Sequence, residues 1–237
     1  MHRFPAAGRN LLPTYARRFP AFSNVLLMGP PGCGKTTIGR IIAPKLNMKW
    51  YDIDDDCLEA AWAMPVAQKL TQLGDEAFLD QEEYELTKVD CKNTVISLSG
   101  SVPLRSKGLQ HLSRNGLIVY LDTALESIVD RLTEMKADRI VGHNDRGLAE
   151  VLVERFDVYE KSYDIRVVIG KSQTPEEIAE NVIAAINSQK KAHYHSTRGM
   201  DNNRPFHHTL VSGLAKDKGL YLPESFIPFN GMRELQR

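Results

Sequence analysis

Five short apolar runs, separated by longer stretches with helical spacing, dominate the hydrophobic pattern of this chain. The runs cover residues 24–28, 50–53, 94–98, 117–121 and 165–169. Polar or turn-forming residues flank each run, which is typical of buried strands. Strands that alternate with helices favour right-handed crossovers and a mostly parallel sheet with helices on both faces. The pattern therefore predicts a three-layer α/β domain.

The clearest helical segments lie at the two ends of this region. Residues 36–46 place apolar side chains at helical spacing directly after a glycine-rich turn. Residues 57–91 show the same spacing, with interruptions near a proline and a glycine. Further along, Thr174 stands at an N-cap position, Pro175 follows at the first helical position, and Glu177 completes a capping box. This predicts a helix that extends to about residue 190.

The composition divides the chain into three parts. Residues 22–190 carry the strand and helix pattern, and beyond them the sequence becomes polar and irregular through residue 205. We predict a main domain over 22–190, an N-terminal tail over 1–21, and a short C-terminal stub over 191–237. The stub holds several histidines, His193, His195, His207 and His208, which we interpret as solvated residues because no cysteine or carboxylate set accompanies them.

A phosphate-binding loop is the strongest chemical signal. Residues 29–36 read GPPGCGKT, which matches G-x-x-x-x-G-K-[ST] between a predicted strand and a predicted helix. Such a loop turns its backbone N–H groups toward phosphate oxygens at the positive end of the helix dipole. The predicted nucleotide-binding residues are Gly29, Pro30, Pro31, Gly32, Cys33, Gly34, Lys35, Thr36 and Thr37.

Two side chains of this loop have distinct predicted roles. Lys35 would reach the β- and γ-phosphates, and the Thr36 hydroxyl would bind Mg²⁺. The loop alone is shared by kinases, GTPases and motor-type ATPases. The chain is short for a motor-type ATPase, and it has no N-K-x-D run for guanine recognition. The sequence therefore favours ATP over GTP.

An acidic cluster at residues 52–56 follows the second predicted strand, at the sheet edge where ligands bind in open α/β folds. Alternation along an extended chain predicts that Asp52 and Asp54 point the same way, into the site. One carboxylate would hold a Mg²⁺-bound water, and the other would accept the proton of an attacking hydroxyl. Helix capping by Asp55 or Asp56 is the alternative for those two residues.

Residues 135–147 are charged and contain two glycines, as a mobile lid would. Arg139 or Arg146 could close over the γ-phosphate and stabilise charge in the transition state. A solvated loop of no catalytic importance is the alternative.

The balance of positive and negative side chains argues against two classes of binding partner. Thirty Lys and Arg residues balance thirty Asp and Glu residues, so no global positive field attracts nucleic acid or an anionic membrane. No apolar run approaches the roughly 20 residues of a membrane helix.

Three cysteines without C-x-x-C spacing indicate a reducing compartment. Residues 1–21 contain arginines and no acidic residue, which fits either a mitochondrial transit peptide or a disordered tail. The matrix and the cytoplasm are the two candidate locations, and the oligomeric state stays open.

Residues 22–190 resemble shikimate kinase over several segments: GPPGCGKTTIGR, WYDIDDD, LGDEAFLDQEE, VISLSG, VYLDT, ADRI and ERFDVYEKSYD. The resemblance implies a P-loop kinase fold with a five-stranded parallel sheet in the order 2-3-1-4-5, with ATP and Mg²⁺ at the loop. Asp52 would lie near the metal and Asp54 would face the acceptor hydroxyl. The resemblance also implies that Arg139 is the lid arginine and that Arg155 helps to hold the substrate carboxylate.

Two departures from the shikimate kinase pattern concern the acceptor. The second arginine that contacts the carboxylate in that family is replaced here by Leu79, and the Gly-Gly-Gly substrate loop reads Ser99-Gly100-Ser101. Gly100 is the glycine of that loop that remains. Losing an arginine removes a charge-assisted hydrogen bond to a carboxylate. We therefore expect phosphoryl transfer from ATP to a small metabolite other than shikimate.

Residues 194–228 resemble the N-terminus of threonine synthase, and the combination resembles animal threonine synthase-like proteins with a shikimate kinase-like domain. Threonine synthases bind pyridoxal phosphate through a lysine much later in their chains, so we expect no pyridoxal phosphate here. Two other functions stay open: a nucleotide-binding regulatory module without transfer activity, and a gluconate- or nucleoside-monophosphate-type kinase.

Overall fold

The computed structural model describes residues 23–134, 140–142, 147–190, 193–201, 204–205, 209 and 212–223. These residues belong to two compact units that divide between residues 185 and 186. The predicted N-terminal tail, residues 1–21, lies outside the described residues.

The first unit alternates strands and helices. Its strands are β1 Asn24–Met28, β2 Lys49–Asp52, β3 Thr94–Ser97, β4 Gly116–Thr123 and β5 Ile165–Ile169. Its helices are α1 Lys35–Lys45, α2 Ala60–Trp62, α3 Val66–Leu73, α4 Asp75–Leu86, α5 Ser106–Ser113, α6 Leu125–Glu134, α7 Leu148–Tyr159 and α8 Pro175–Lys190, of which residues 175–185 belong to this unit. A π-helix at Ile53–Glu59 and a 3₁₀ turn at Val102–Leu104 complete it.

The five strands form one parallel sheet in the order β2-β3-β1-β4-β5, which confirms the predicted fold and strand order. All five residues of β1 are buried, as expected for a central strand with both faces covered. The edge strand β5 departs from this expectation, because its residues alternate between buried and exposed and Val168 is 66% exposed. In the described part of the chain, only one face of the sheet is covered there.

Helix α1 is fixed to the sheet at its first residue. The indole N–H of Trp50 donates to Ser97 Oγ at 3.2 Å, and Ser97 Oγ donates to the carbonyl oxygen of Lys35 at 3.2 Å. Gly39, one turn along α1, lies so close that an added Cβ would be 2.7 Å from Ser97 Oγ. These contacts hold the start of α1 against the carboxyl ends of β2 and β3.

The capping box that the sequence predicts at α8 is confirmed. Thr174 N–H donates to Glu177 Oε2 at 2.8 Å, and Glu177 N–H donates to Thr174 Oγ1 at 3.3 Å. This reciprocal pair satisfies two of the backbone donors that a helix leaves open at its start.

The second unit contains β6 His193–Ser196, β7 Arg204–Pro205 and β8 Tyr221–Pro223, which form an antiparallel sheet in the order β7-β6-β8. Composition alone indicated an irregular stub in this region. Two aspartates organise it: Ser196 Oγ donates to Asp217 at 2.6 Å, and Tyr221 OH donates to Asp201 at 2.6 Å. Polar contacts between distant residues therefore build a sheet that the local pattern does not reveal.

None of the helices in the described part of the chain combines the length and the apolar character needed to cross a membrane.

Candidate active site

The phosphate-binding loop forms one tight turn between β1 and α1. Gly34 has a φ of 96°, a left-handed conformation that only glycine adopts without strain, and it places Lys35 as the first residue of α1. Lys35 is buried, and its Nζ donates to the carbonyl oxygens of Gly29 and Pro30, both at 2.9 Å. The lysine side chain thus curls back over its own loop.

Contacts from within and outside the loop hold this turn in place. Cys33 is buried inside it, and Lys35 Nζ lies 3.9 Å from the Cys33 sulfur. Arg131, on α6, donates from Nη1 to the carbonyl oxygen of Gly32 at 3.0 Å. The predicted loop residues therefore come together as one turn. Arg131 is an addition that sequence reasoning missed, because nothing local marks a residue 99 positions away as a neighbour.

The structure brings Thr36 and Asp52, the two residues predicted to lie near a metal, into direct contact. Thr36 Oγ1 donates to Asp52 Oδ2 at 2.8 Å. Asp52 is 5% exposed, and this burial raises the pKa of its carboxyl, while the hydrogen bonds from Thr36 and from Asp54 N–H oppose the rise. The result is a pair of oxygen atoms at the N-terminus of α1.

Alternation along an extended chain predicts that Asp52 and Asp54 point the same way from one strand. This prediction is wrong, because Asp54 lies beyond the end of that strand. Strand β2 ends at Asp52, and the next residue begins the π-helix. Asp52 caps that helix by accepting the Asp54 N–H at 3.0 Å, and Asp56 Oδ2 accepts the Asp52 N–H at 2.8 Å. The helix cap, for which Asp55 or Asp56 was the alternative interpretation, is therefore formed by Asp52. Carboxylates in the first turn suit the positive end of a helix dipole, which explains why the acidic run bends into a helix.

The predicted substrate loop, Ser99-Gly100-Ser101, is held from two helices. Tyr159 OH on α7 donates to the carbonyl oxygen of Gly100 at 2.7 Å, and Ser101 Oγ donates to Glu82 Oε1 on α4 at 2.7 Å. Ser99 Oγ lies 2.9 Å from Ser101 Oγ. Sequence reasoning missed Glu82 and Tyr159. The available signal was a charged residue at position 82, on the apolar face of α4.

Glu82 is an acid in an apolar setting. Burial is the largest cause that raises its pKa, and the neighbouring Asp54 carboxylate also raises it, whereas the serine hydrogen bonds and the positive charge of Arg155 lower it. The net result is a pKa of about 7. The carboxyl therefore changes its charge near neutral pH, inside the protein and beside the substrate loop.

Gly100 also touches the phosphate-binding loop. A Cβ added at Gly100 would lie 2.9 Å from both Cγ and Cδ of Pro31. Real Cβ atoms do not approach carbon this closely, so only glycine allows the two loops to pack together. The predicted acceptor and nucleotide loops are in direct contact.

We expect Gly100→Ala to separate these loops. The extra methyl group should cost about 1–3 kcal/mol of unfolding free energy, as overpacking usually does, and should lower kcat/KM for any phosphoryl transfer by about tenfold or more. Thermal unfolding and steady-state kinetics measure the two effects. The matched control for the unfolding free energy is Gly147→Ala, since Gly147 has a φ of −63° and no atom of the described residues lies within 4 Å of its added Cβ. Equal unfolding free energies of the two variants would contradict the packing role of Gly100.

The structure places two of the remaining residues that the sequence analysis assigned to the acceptor side, and the lid arginines lie outside the described residues. Arg155 is 3% exposed, and its Nη2 donates to the carbonyl oxygen of Val141 at 2.7 Å. Leu79 is 1% exposed and belongs to the hydrophobic core. Arg139 and Arg146 lie outside the described residues, so the lid arginine stays a prediction.

Among the described residues, no group of three or more His, Cys, Asp and Glu side chains could hold a metal ion. Of the four histidines singled out in the sequence, His207 and His208 lie outside the described residues. The three cysteines are free thiols.

Comparison with known proteins divides the chain in two. The family model described as shikimate kinase matches residues 31–187, and the model described as threonine synthase N terminus matches residues 193–236. Threonine synthase-like 1 of Homo sapiens is 40% identical over 217 residues, which cover 86% of this chain and 29% of that protein. The chain thus spans about three-tenths of the length of such relatives. Shikimate kinase 1 of Escherichia coli O139:H28 is 31% identical over 170 residues, 70% of this chain and 96% of that enzyme.

Solved structures agree on the fold. Shikimate kinase from Acinetobacter baumannii, in complex with shikimate, superposes with a TM-score of 0.62 at 24% identity, over 75% of this chain and 99% of that one. Shikimate kinase from Bacteroides thetaiotaomicron gives a TM-score of 0.59 at 23% identity, over 71% and 98% of the two chains.

Proposed function

Because this chain belongs to the shikimate kinase family, we propose that its P-loop domain binds ATP and transfers the γ-phosphoryl group to a hydroxyl of a small metabolite. The observation that carries the proposal is the assembled start of α1. There Lys35, the Thr36 hydroxyl and the Asp52 carboxylate converge on one turn, with Thr36 and Asp52 joined at 2.8 Å.

The loop is suited to a polyphosphate. Its N–H groups and the α1 dipole favour negative charge at this point. Lys35 is held by two neutral carbonyl oxygens, and a phosphate oxygen forms a stronger, charge-assisted bond with an ammonium group. Nucleotide binding would therefore draw Lys35 from the carbonyls of its own loop onto the phosphates. Arg131 supports the loop through its hydrogen bond to the carbonyl oxygen of Gly32.

The residues present fit a magnesium ion. Mg²⁺ prefers oxygen ligands and is commonly held by one or two protein groups together with substrate phosphates. The Thr36 hydroxyl and the Asp52 carboxylate offer such oxygens beside the phosphate-binding loop. When bound, the ion would neutralise charge on the β- and γ-phosphates. The hydrogen bond from Asp54 N–H orients Asp52 for this role.

The acceptor would lie between the π-helix and the substrate loop. Asp54, in the first turn of the π-helix, would accept the proton of the attacking hydroxyl. Gly100 and Arg155 would line the acceptor side, and Arg139 would close over the phosphates. Leu79 is buried in the core and has no group that could hold a carboxylate, so the acceptor we propose is not shikimate.

Turnover tests this proposal directly. The full chain, mixed with ATP, Mg²⁺ and a panel of hydroxylated metabolites, should release ADP faster with at least one acceptor than without any. A coupled ADP assay measures the rate, and thermal unfolding measures nucleotide binding. If ATP with Mg²⁺ neither raises the melting temperature nor yields ADP, the proposal is wrong.

A nucleotide-binding regulatory module without transfer activity is the second candidate. Arg155 favours it, because its guanidinium is already bonded to the carbonyl oxygen of Val141. In that case ATP would raise the melting temperature and no acceptor on the panel would accelerate ADP release. The location, in the mitochondrial matrix or the cytoplasm, stays a prediction.

A further inference from the structure

Two charged residues beside the substrate loop occupy core positions of their helices. On α4, Glu82 shares the buried face with Phe78, Leu79 and Leu86, and it is 1% exposed. On α7, Arg155 shares the buried face with Leu152 and Tyr159. A charge in such a position is costly unless neighbouring groups satisfy it. The polar groups around Glu82 and Arg155 therefore lower the free-energy cost of burying their charges.

The hydroxyl protons of the substrate loop are directed at the protein. Ser101 has one proton, and with Glu82 ionised it is donated to Glu82 Oε1. Ser99 also forms a hydrogen bond with the Glu82 carboxyl and contacts Ser101 Oγ, so its one proton is directed at one of these two groups. The hydroxyl proton of Tyr159 goes to the carbonyl oxygen of Gly100. Ser101 and Tyr159 are buried, whereas Ser99 is half-buried and its oxygen accepts the Ser101 N–H at 3.5 Å with one of its two lone pairs. The Ser99 side chain can therefore accept a hydrogen bond from a ligand more readily than it can donate one.

The charges around Glu82 also favour a ligand without a carboxylate. Among the described residues that influence Glu82 are the carboxylate of Asp54 and the guanidinium of Arg155, which raise and lower its pKa respectively. Arg155 is bonded to the carbonyl oxygen of Val141 and also interacts with Tyr159. With Glu82 ionised, the three interacting groups Glu82, Asp54 and Arg155 carry a net charge of −1. A carboxylate on the acceptor would add a third negative charge, whereas a neutral acceptor would add none.

We propose that the acceptor of this site is an uncharged polyol or sugar, selected over hydroxy acids by the negative charge of Glu82 and by the Ser99 side chain, whose hydroxyl proton is held within the protein. The inference rests on the proposed phosphotransferase function and specifies its substrate class. Hydroxyl groups of the ligand donate to Asp54 and to Ser99 Oγ. Glu82 is a positioning residue, since it acts through the two serines.

Matched pairs of acceptors test the inference without any mutation. Each pair differs only in the carboxylate: shikimate and its reduced alcohol, gluconate and sorbitol, glycerate and glycerol. We expect kcat/KM at pH 8, from ADP release, to be at least about tenfold higher for the neutral member of a pair that turns over. A preference for the acid member would overturn the inference while leaving the proposed function intact. Absence of turnover with every member would overturn both.

Glu82→Gln tests the mechanism of selection. It removes the charge and supplies an amide donor to Ser101, so the preference for the neutral member should fall by about tenfold. The matched control is Asp80→Asn, on the same helix, whose side chain is 72% exposed and whose variant should keep the wild-type preference. An unchanged preference in a folded Glu82→Gln protein would overturn the selection mechanism.

Ser99→Ala keeps the test decisive if Glu82→Gln does not fold. It leaves the buried charges in place and removes one hydroxyl. We expect KM for the neutral acceptor to rise by about fivefold or more, with the melting temperature and KM for ATP unchanged. An unchanged KM for the acceptor would overturn the assignment of Ser99.

Discussion

Replacing Lys35 with methionine should lower kcat/KM for phosphoryl transfer by about 10³-fold, the scale observed when one preorganised donor to transition-state charge is lost. Methionine keeps much of the length and apolar volume of lysine, and it lacks the ammonium group. The charge that would move from the carbonyl oxygens of Gly29 and Pro30 to the phosphates is then absent. ADP release measures the loss, and the shift in melting temperature with ATP and Mg²⁺ should fall with it.

Lys45→Met is the control for this variant. Lys45 lies at the other end of α1, where its exposed side chain pairs with Glu180. An exposed ion pair contributes little to stability, so activity should stay within about twofold of wild type and the unfolding free energy within about 0.5 kcal/mol. Retention of more than a tenth of wild-type kcat/KM in Lys35→Met would exclude the proposed nucleotide site.

Asp54→Asn should lower kcat by about 10²–10⁴-fold, the contribution that a positioned general base makes. The amide keeps the shape of the carboxylate but cannot take the proton of the attacking hydroxyl. Asp54 stands in the first turn of the π-helix, and the bond that places it is made by its backbone N–H to Asp52, which the substitution retains. ATP should therefore still raise the melting temperature. Single-turnover ADP formation with a saturating acceptor measures the loss.

Asp55→Asn is the neighbouring control, because Asp55 is exposed in the same turn and carries the same charge. Its kcat should stay within about twofold of wild type. Equal losses in the two variants would mean that the acidic turn acts through its total charge, and Asp54 would then have no individual role as a base.

Local signals predict much of this fold. Each of the five strands coincides, within one or two residues, with a predicted run. For β1, β3 and β4 the reason is that a buried parallel strand needs both faces apolar. The capping box at Thr174 is equally local, since its two partners are three residues apart. The phosphate-binding loop is predictable because its chemistry lies in backbone geometry that glycines dictate over a few residues. The strand order came only from the resemblance to shikimate kinase.

The acceptor side was less predictable, because its contacts join residues that are distant in sequence. Nothing near Glu82 indicates that it receives a hydrogen bond from Ser101, and nothing near Tyr159 indicates that it donates to Gly100. The alternation rule was wrong for Asp54 because three successive aspartates favour a helix start over a continued strand. A charged residue on the apolar face of a helix, such as Glu82 or Arg155, is the one local sign of this part of the site.

The contact between Gly100 and Pro31 leaves no room for a methyl group between the loop that would hold the acceptor and the loop that would hold the nucleotide. Neither loop can shift toward the other, so a ligand that orders one of them also restricts the freedom of its neighbour. Affinities for two ligands that share such a boundary are linked, and the factor by which the first changes the second is the same in both directions. We therefore expect the nucleotide and the proposed acceptor to bind this domain cooperatively, through the contact between Gly100 and Pro31.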